Sequence, residues 1–409
     1  MDTIQLIHLA DLHLGYSGPK HLIFKDNERY AGRYVREVDI EKAIEGMTLT
    51  IMHRKPAIDI VVIAGDMFHK PTPFPRAIEY ATKLIHLLRK NGIEVIIIDG
   101  QHETATIVHA GSPISFLSTL GAHVINRDHG EIIRDMKWSA PRLQEARLAI
   151  HALPYRAVQN ANFAETAPLP GYINVLLAHG RVQGMEEFNT LHHQSASLPK
   201  ELLRQKWDYV ALGDWHTHKY QPLRDIPAYY AGSLEALNYA EAKVHPAVTN
   251  DPNAERGALL VELSHKQKAR VSTLPNTSMR AVLRLRPIDP TQMTSTQLMQ
   301  EINARFTPAL PSEAIATLEI KDIPQHVWDE LDFTEINRLR QSIRRCNIRM
   351  NVQSPAPEQS DITCSDIPAD KQWEYFLDQY ADRDCLLKQS STLFIDAARL
   401  ALQAQTTAC

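Results

Sequence analysis

The chain has 409 residues, which is long for one domain and predicts two or three. Its 44 Lys and Arg residues against 48 Asp and Glu give a formal net charge of −4. A protein that coats nucleic acid unaided is usually basic, so this charge argues against that class. It leaves open contacts that use a local basic patch, divalent metal or a partner.

The cysteines and the start of the chain bear on its compartment. Four cysteines without CxxC spacing are too few for a disulfide framework in a chain of this length, which favours a reducing setting. The chain begins directly with a strand pattern at Ile4–Ala10 and shows no secretory signal. No run reaches the roughly 18 apolar residues of a membrane span. We therefore expect a cytoplasmic protein with no membrane contact.

Short apolar runs alternate with amphipathic stretches through the first two thirds of the chain. Helices are predicted at Ile40–His53 and Arg76–Lys90. Strands are predicted at Ile4–Ala10, Ile58–Ala64, Ile93–Ile98, Ala146–Leu153, Ile173–Ala178, Tyr209–Leu212 and Ala258–Leu263. This alternation predicts an α/β core whose strands are covered on both faces.

The composition changes near residue 275, where a compact α+β module begins. Its predicted elements are strands at Arg280–Arg286 and Ala314–Ile320 and helices at Thr296–Phe306 and Thr334–Arg345. Residues 351–370 carry several prolines among Ser, Asp and Glu, which is typical of a linker. The domain boundaries that we predict are 1–275, 276–350 and 351–409.

Two further helices are predicted after the linker, at Trp373–Tyr380 and Leu393–Gln403. The second has an apolar face, so it is either an ordinary packed helix or a helix that docks on a partner chain. The linker in front of it favours docking.

Residue types that bind metals follow the carboxyl ends of five predicted strands. They are Asp11 and His13, Asp66 and His69, Gln101 and His102, His179, and Asp214 and His216. In open α/β sheets, ligands bind where the carboxyl ends of strands converge. Mixed imidazole and carboxylate ligands suit manganese, iron or zinc. The sequence therefore predicts a metal site at one edge of the sheet.

The spacing of these residues suits a pair of cations. Asp11 and His13 are two residues apart at a strand end, so both side chains can point the same way. A carboxylate such as Asp66 can bridge two cations with its two oxygens, and Gly65 allows a sharp turn before it. Two adjacent cations can activate water and stabilise charge on a phosphodiester. The sequence has no GxSxG motif and no cysteine near these residues, so nothing in it indicates covalent catalysis.

The order of these motifs and the residues within them resemble those of the calcineurin-like metallophosphoesterases. The segments HLADLHLG, DIVVIAGDMFHKPTP and YVALGDWH are most similar to the nuclease subunit of the SbcC–SbcD and Mre–Rad DNA break-repair complexes. The resemblance covers residues 1–275 with specific motifs. Residues 276–350 match the capping domain of that family only in size, order and general pattern. The resemblance as a whole implies a sandwich of two mixed β-sheets flanked by helices, a small α+β capping domain and a C-terminal helical tail.

The resemblance also implies a role for each site residue. The first metal ion would be held by Asp11, His13 and His216. Asp66 would bridge both ions, and the second would be held by His179, Gln101 and Asp214. His102 would contact the scissile phosphate and protonate the leaving oxygen, and His69 would help to position the substrate. The implied cofactor is two divalent metal ions, with Mn²⁺ favoured.

Two positions depart from the family pattern, and both belong to the second metal. The family usually has Asn at the position of Gln101, whose longer side chain must shift its oxygen by about a bond length, against a tolerance of about 0.2 Å. It commonly has His where this chain has Asp214, a harder, anionic ligand that favours manganese or magnesium. Either the second site is retuned or it is weakened. Asp214 could instead cap the turn that follows.

Basic residues are concentrated in the segment from Tyr16 to Arg36, with Tyr30 and Tyr34 between them. They could form a basic lip that holds a DNA backbone. They could equally form a solvated loop and helix face, which is the interpretation we adopt.

The resemblance implies a metal-dependent DNA nuclease, an exonuclease with endonuclease activity as a further option. Such a protein would act as a homodimer with an ABC-type ATPase of the SbcC/Rad type in DNA end processing. One alternative keeps the metal-dependent hydrolysis but changes the substrate, to a small nucleotide such as a cyclic nucleotide or to a small phosphomonoester. Another is a catalytically weakened subunit for DNA-end binding or assembly, because Gln101 and Asp214 both affect the second metal.

Overall fold

The computed structural model describes residues 3–352 with some internal gaps. The gaps are 19–21, 26–27, 105–110, 162, 164–165, 186–195, 239–240, 242, 245–255 and 308–309. The described residues belong to one compact unit, Met1–Val352. The linker predicted to continue to residue 370, the two helices predicted after it and the docking role of the last one lie outside the described residues.

Strands and helices follow one another along the whole described chain. The strands are β1 Ile4–Leu9, β2 Ile60–Ala64, β3 Glu94–Ile98, β4 His123–Ile125, β5 Glu131–Ile133, β6 Leu148–Leu153, β7 Ile173–His179, β8 Arg181–Val182, β9 Ser197–Leu198, β10 Tyr209–Gly213, β11 Ala228–Tyr230, β12 Lys243–Val244, β13 Gly257–Ser264, β14 Gln267–Pro275, β15 Val282–Arg284, β16 Ile315–Ile323 and β17 Arg345–Val352. The helices are α1 Val35–Met52, α2 Pro75–Lys90, α3 Pro141–Glu145, α4 Tyr155–Gln159, α5 Lys200–Leu203, α6 Ser295–Arg305, α7 Gln325–Asp329 and α8 Phe333–Gln341, with a 3-10 helix at Ser115–Leu120. Among the described residues, no helix combines the length and the apolar character that crossing a membrane requires.

Two mixed sheets form the larger part of the fold. The six-stranded sheet has the order β14-β13-β1-β2-β3-β4, in which β1 to β4 are parallel and β13 is antiparallel to both of its neighbours. The five-stranded sheet has the order β11-β10-β7-β6-β5 and is parallel except for β5. The predicted α/β sandwich of two mixed sheets flanked by helices is confirmed.

The alternation of side chains along each strand explains why the sheets pack in layers. In β2, Ile60, Val62 and Ala64 belong to the core between the two sheets. Val61 and Ile63 point the other way and pack with residues of α1 and α2. Because both faces are buried, the strand is a continuous apolar run rather than an alternation of apolar and polar residues.

Glycines allow the strand ends of the two sheets to approach each other closely. A Cβ atom on Gly213 would approach the backbone carbonyl oxygen of Ala64 well within the 3.0 Å that real Cβ contacts keep. A Cβ on Gly100 would collide in the same way with the carboxylate of Asp66, and one on Gly65 with the ring of His179. The carboxyl ends of β2, β3, β7 and β10 therefore meet at a spacing that excludes any side chain at these positions.

A third, parallel sheet has the order β12-β15-β16-β17 and a core of its own with α6, α7 and α8. Strands β15 to β17 and these three helices correspond to the predicted α+β module. That residues 276–350 form a separate domain stays a prediction. The module is attached to the rest of the unit by Ile315, which packs with Phe24 and Val35. Arg280 Nε also donates to Asp39 Oδ2 at 2.8 Å.

The end of the module differs from the prediction. Helix α8 ends at Gln341 instead of Arg345, and Arg345 begins the strand β17, which continues to Val352 into the predicted linker. The strand was missed because it lies at the edge of its sheet and buries only Ile348 fully, so its sequence lacks an apolar pattern. It is held by parallel pairing with β16.

The basic segment from Tyr16 to Arg36 is more buried than we expected. Arg36 is only 3% exposed, and its guanidinium donates to Asp39 Oδ2 at 2.6 Å and to Glu235 Oε2 at 2.9 Å. Arg33 donates to Glu41 Oε1 at 2.6 Å. The interpretation of the segment as solvated is therefore wrong for Arg36. The ion pairs of Arg33 and Arg36 take up two of the five basic charges that the segment could offer to a DNA backbone.

We expect Gly213→Ala to lower the free energy of unfolding by roughly 3 kcal/mol or more, because the added methyl group must displace the Ala64 backbone. Gly92→Ala is the matched control: its φ is +75° but nothing lies within 4 Å of an added Cβ, so about 1 kcal/mol is expected. Urea unfolding of both variants measures the difference. Equal losses would mean that the strand ends are not in tight contact.

Candidate metal centre

The structure brings the predicted site residues to the adjoining carboxyl ends of five strands. Ligand atoms within 4.8 Å of one another form three groups among the described residues: Asp11, His13 and His216; Asp11, Asp66 and His179; and His13, His69 and His102. Of the eight predicted site residues that are Asp or His, only Asp214 is outside these groups. Two groups combine carboxylates with imidazoles and the third contains three imidazoles, and both kinds of side chain bind divalent transition metals.

Asp66 lies at the centre of the cluster. Its Oδ1 accepts a hydrogen bond from the backbone N–H of His102 at 2.9 Å. Its Oδ2 is buried without a hydrogen-bond partner among the described residues. Three imidazole Nε2 atoms surround Oδ2, those of His179 at 3.6 Å, His13 at 3.8 Å and His102 at 3.9 Å. This oxygen is therefore placed to share a cation with more than one histidine.

Asp11, His13 and His216 form one side of the centre. The Nε2 atoms of His13 and His216 are 3.1 Å apart. Asp11 Oδ1 accepts from the backbone N–H of Asp214 at 3.0 Å, and its Oδ2 is buried without a hydrogen-bond partner among the residues that the structure describes. Two imidazole nitrogens and a carboxylate oxygen thus converge on one point.

His179 and Gln101 form the other side. His179 Nδ1 donates to the carbonyl oxygen of Ala64 at 2.7 Å, which fixes the tautomer and leaves Nε2 free to face Asp66. The amide oxygen Oε1 of Gln101 is buried and has no hydrogen-bond partner in the described part of the chain. The carboxylate of Asp214 turns elsewhere, since its Oδ2 lies 3.2 Å from Arg181 Nε.

The backbone at the site is strained. Asp11, His13, Asp66 and Asp214 have φ values of 53°, 48°, 50° and 93°, in the left-handed region that non-glycine residues rarely adopt. Such residues cost about 1–3 kcal/mol each and persist where surrounding contacts hold them. Here the backbone N–H groups of Asp11 and His13 donate to the carbonyl oxygens of Gly65 and Asp66, at 3.1 and 2.9 Å.

Glu103 holds two of the strand-end loops together, a role that we did not assign from the sequence. Its carboxylate accepts from the backbone N–H groups of Asp66 at 3.1 Å, Phe68 at 2.6 Å and Gly100 at 2.8 Å. Burial, reinforced by the charge of Asp66, raises the pKa of Glu103 to about 8. The only hint in the sequence is its place directly after the Gln101-His102 pair.

The electrostatics of the cluster favour a bound cation. Burial raises the pKa of Asp66 to about 7, and burial also raises the pKa of Asp11. Although burial alone would lower it, the charges of Asp66, Asp11 and Asp214 raise the pKa of His179 to about 9. Buried carboxylates and unpaired acceptor atoms are costly without a positive partner. A divalent ion is the partner that this donor set fits, because its unpartnered atoms are carboxylate and amide oxygens and an imidazole nitrogen.

His102 and His69 lie at the outer side of the centre. His102 Nδ1 donates to the carbonyl oxygen of His69 at 2.9 Å, which leaves Nε2 facing the site. The two rings are stacked with their centroids 5.1 Å apart. His69 Nδ1 is also 3.4 Å from His13 Nδ1. His102 keeps about a quarter of its side chain exposed (23%), enough to meet a molecule that enters the site.

Glu241 orients the ring of His216, a role that we did not predict from the sequence. Its Oε1 accepts from His216 Nδ1 at 3.0 Å, which leaves Nε2 of His216 to face His13 and Asp11. Although burial opposes it, the charge of His216 holds the pKa of Glu241 below its ordinary value. Arg256 donates to the carbonyl oxygens of both His216 and Glu241, at 2.8 and 2.9 Å. A carboxylate behind a ligating histidine fixes the ring and raises its basicity.

Comparison with protein-family models identifies the fold. The model described as calcineurin-like phosphoesterase matches residues 4–241, more than half of the chain. The chain belongs to this family. The resemblance seen in the motifs is thereby confirmed, and the matched region includes every residue of the three groups that could hold a metal.

Several curated proteins are similar to this chain. The DNA double-strand break repair protein Mre11 of Methanopyrus kandleri is 27% identical over 278 residues, 63% of this chain and 54% of the relative. The protein of the same name from Methanocaldococcus jannaschii is 25% identical over 241 residues, 57% of each chain. The uncharacterized metallophosphoesterase YhaO of Bacillus subtilis is 26% identical over 257 residues, 59% of this chain and 55% of the relative. The match spans about half the length of these relatives.

We expect Glu241→Gln to weaken Mn²⁺ binding about tenfold, because a neutral amide behind His216 makes the imidazole a poorer donor. The electron paramagnetic resonance signal of free Mn²⁺ during a titration measures this affinity without any assay of activity. Glu79→Gln is the control, because Glu79 is exposed on α2 and contacts only Lys83 in the described structure. Equal Mn²⁺ affinities in the two variants would show that Glu241 does not support the centre.

Proposed function

We propose that this protein is a metal-dependent DNA nuclease that hydrolyses phosphodiester bonds. The observation that carries the proposal is the arrangement around Asp66. Its Oδ2 has no hydrogen-bond partner among the described residues and lies 3.6 Å from Nε2 of His179 and 3.8 Å from Nε2 of His13. A carboxylate between two sets of donors is what a pair of bridged cations requires. We infer exonuclease activity, with endonuclease activity as a further option.

Seven residues would hold two divalent ions, with manganese the favoured metal. Asp11, His13 and His216 would hold one ion, Asp66 would bridge both, and His179, Gln101 and Asp214 would hold the other. Bound divalent ions would supply the Lewis acidity that activates water and stabilises charge on the phosphorus oxygens. For Asp214 this role requires its carboxylate to serve the ion as well as Arg181, from which it is 3.2 Å away.

His102 is the residue that we assign to the leaving group. Its Nδ1 proton is committed to the His69 carbonyl, so Nε2 is the atom that gives or takes a proton at the site. A positioned imidazole of this kind contributes about 10²–10⁴-fold to the rate by proton transfer. His69, stacked on His102, would position both this ring and the substrate.

A DNA substrate is supported by the relatives and by the module at 276–350. Relatives from several archaea carry the name of a DNA double-strand break repair protein. We assign residues 276–350 as a capping domain and residues 351–409 as a segment that binds a partner. The partner would be an ABC-type ATPase of the SbcC/Rad type, and the active form a homodimer in the cytoplasm.

Removal of metal tests the proposal directly. We expect the purified protein with its ATPase partner to degrade DNA with Mn²⁺, to lose the activity in EDTA and to regain it when Mn²⁺ is restored. Asp66→Asn should lower the rate by several orders of magnitude, because the bridging oxygen is lost. Degradation that continues unchanged after chelation, or metal binding with no cleavage of single- or double-stranded DNA, would contradict the proposal.

The choice of substrate can be tested separately. Turnover of plasmid DNA, bis-p-nitrophenyl phosphate and p-nitrophenyl phosphate can be compared under the same metal conditions. A DNA nuclease should cleave DNA and the diester. Cleavage of the monoester in preference to both would support a small-molecule phosphatase instead.

We expect His102→Gln to lower kcat on DNA by about 10²–10⁴-fold while the Mn²⁺ affinity changes by less than about threefold. The reason is that His102 would act on the leaving oxygen and not as a metal ligand. Single-turnover kinetics at saturating Mn²⁺, with a parallel metal titration, separates the two effects. A large loss of Mn²⁺ affinity would reassign His102 to the metal.

A further inference from the structure

Arg181 follows the metal-site residue His179 by two positions and has a firmly held backbone. Its N–H donates to the carbonyl oxygen of Ala196 at 2.8 Å. The hydroxyl of Tyr230 donates to the carbonyl oxygen of Gly180 at 2.8 Å and accepts from the N–H of Val182 at 3.1 Å. The residues on both sides of Arg181 are thus fixed by one buried side chain, so its position at the rim of the site is defined by the fold.

The side chain of Arg181 is also oriented. Its Nε donates to Asp214 Oδ2 at 3.2 Å, and Asp214 is only 4% exposed. The guanidinium lies over the ring of Trp215, 5.4 Å from its centroid. Because a cation stacked on an indole and paired with a buried carboxylate loses little further freedom on binding, the group is preorganised.

Most of the N–H donors of the Arg181 guanidinium have no partner within the described structure. The two Nη groups have no hydrogen-bond partner among the described residues, and 20% of the side chain is exposed. Arg33 and Arg36 differ, because Nη groups of both donate to carboxylates of the fold. Arg181 therefore offers free, directed N–H donors directly beside the metal centre.

From this geometry we infer that Arg181 binds a phosphate group of the substrate strand. The inference rests on the proposed function, because it takes the substrate to be a nucleic acid. A planar guanidinium with free Nη donors matches the oxygens of a phosphate in two-point contact, which an ammonium group cannot do. Asp214, at the end of the strand next to β7, sets the direction of the group by its contact with Nε.

A simpler role for Arg181 is to neutralise Asp214 alone. The two roles differ when both members of the pair are removed. If Arg181 only neutralises Asp214, the double variant Arg181→Gln/Asp214→Asn has no unbalanced charge and should bind DNA as the wild type does. If Arg181 contacts phosphate, the double variant keeps the defect.

Fluorescence anisotropy of a labelled DNA duplex in EDTA measures binding by the full chain without any need for catalysis. We expect Arg181→Gln to raise Kd about tenfold and to reduce the salt dependence, the slope of log K against log salt, by about 0.9. Arg181→Lys should keep the salt slope and lose part of the affinity, because it keeps the charge without the planar fork. Arg270→Gln, which removes the same charge from a side chain that is 85% exposed on β14, should leave Kd within twofold.

The outcomes separate this inference from the proposed function. If the wild-type protein hydrolyses phosphodiesters with Mn²⁺ but Arg181→Gln binds DNA as tightly as Arg270→Gln, the role of Arg181 is refuted and the nuclease proposal stands. The role is also refuted if the double variant recovers the affinity of the wild type. If the wild-type protein hydrolyses no phosphodiester, the nuclease proposal fails, and the binding data still decide whether Arg181 contacts a phosphate.

Discussion

The site depends on the close approach of carboxyl strand ends from two packed sheets. Where β2 meets β10, even the methyl group of an alanine at Gly213 would not fit against the Ala64 carbonyl. This contact brings the carboxylate of Asp66 within 3.6 Å of an imidazole nitrogen from the opposite sheet, that of His179. Both groups are fully buried, so water cannot satisfy them, and a cation is the partner that can. The close packing of the two sheets therefore also places the metal-binding side chains at their edge.

A second layer of residues keeps the centre in place. Glu103 ties the loops after β2 and β3 together through three backbone N–H groups. Glu241 and Arg256 fix the ring and the backbone of His216. These contacts hold the site residues in the left-handed backbone conformation. Without such contacts, non-glycine residues would adopt a conformation of lower energy. A preformed site of this kind does not have to reorganise when a metal or a phosphate arrives.

The sequence predicted those features that follow from local pattern. The run Ile58–Ala64 revealed β2 because a strand that is buried on both faces must be apolar throughout. Asp11, Asp66 and His179 could be found because each follows such a strand. Features that depend on distant contacts could not be predicted. Arg36 belongs to a basic segment but is buried, because its guanidinium pairs with the carboxylates of Asp39 and Glu235. Strand β17 has a polar sequence and is held by its pairing with β16. The contacts of Glu241 with His216 and of Arg181 with Asp214 likewise join residues that are distant in the sequence.

Anomalous scattering from a crystal soaked in Mn²⁺ and measured near the manganese absorption edge tests the central claim most directly. We expect one anomalous peak in contact with Asp11, His13, Asp66 and His216, and a second in contact with Asp66, His179 and Gln101. The second peak would also show whether Asp214 leaves Arg181 to join the ligands. A map with no peak beside Asp66, at an Mn²⁺ concentration that saturates activity, would contradict the assignment of these residues as a metal centre.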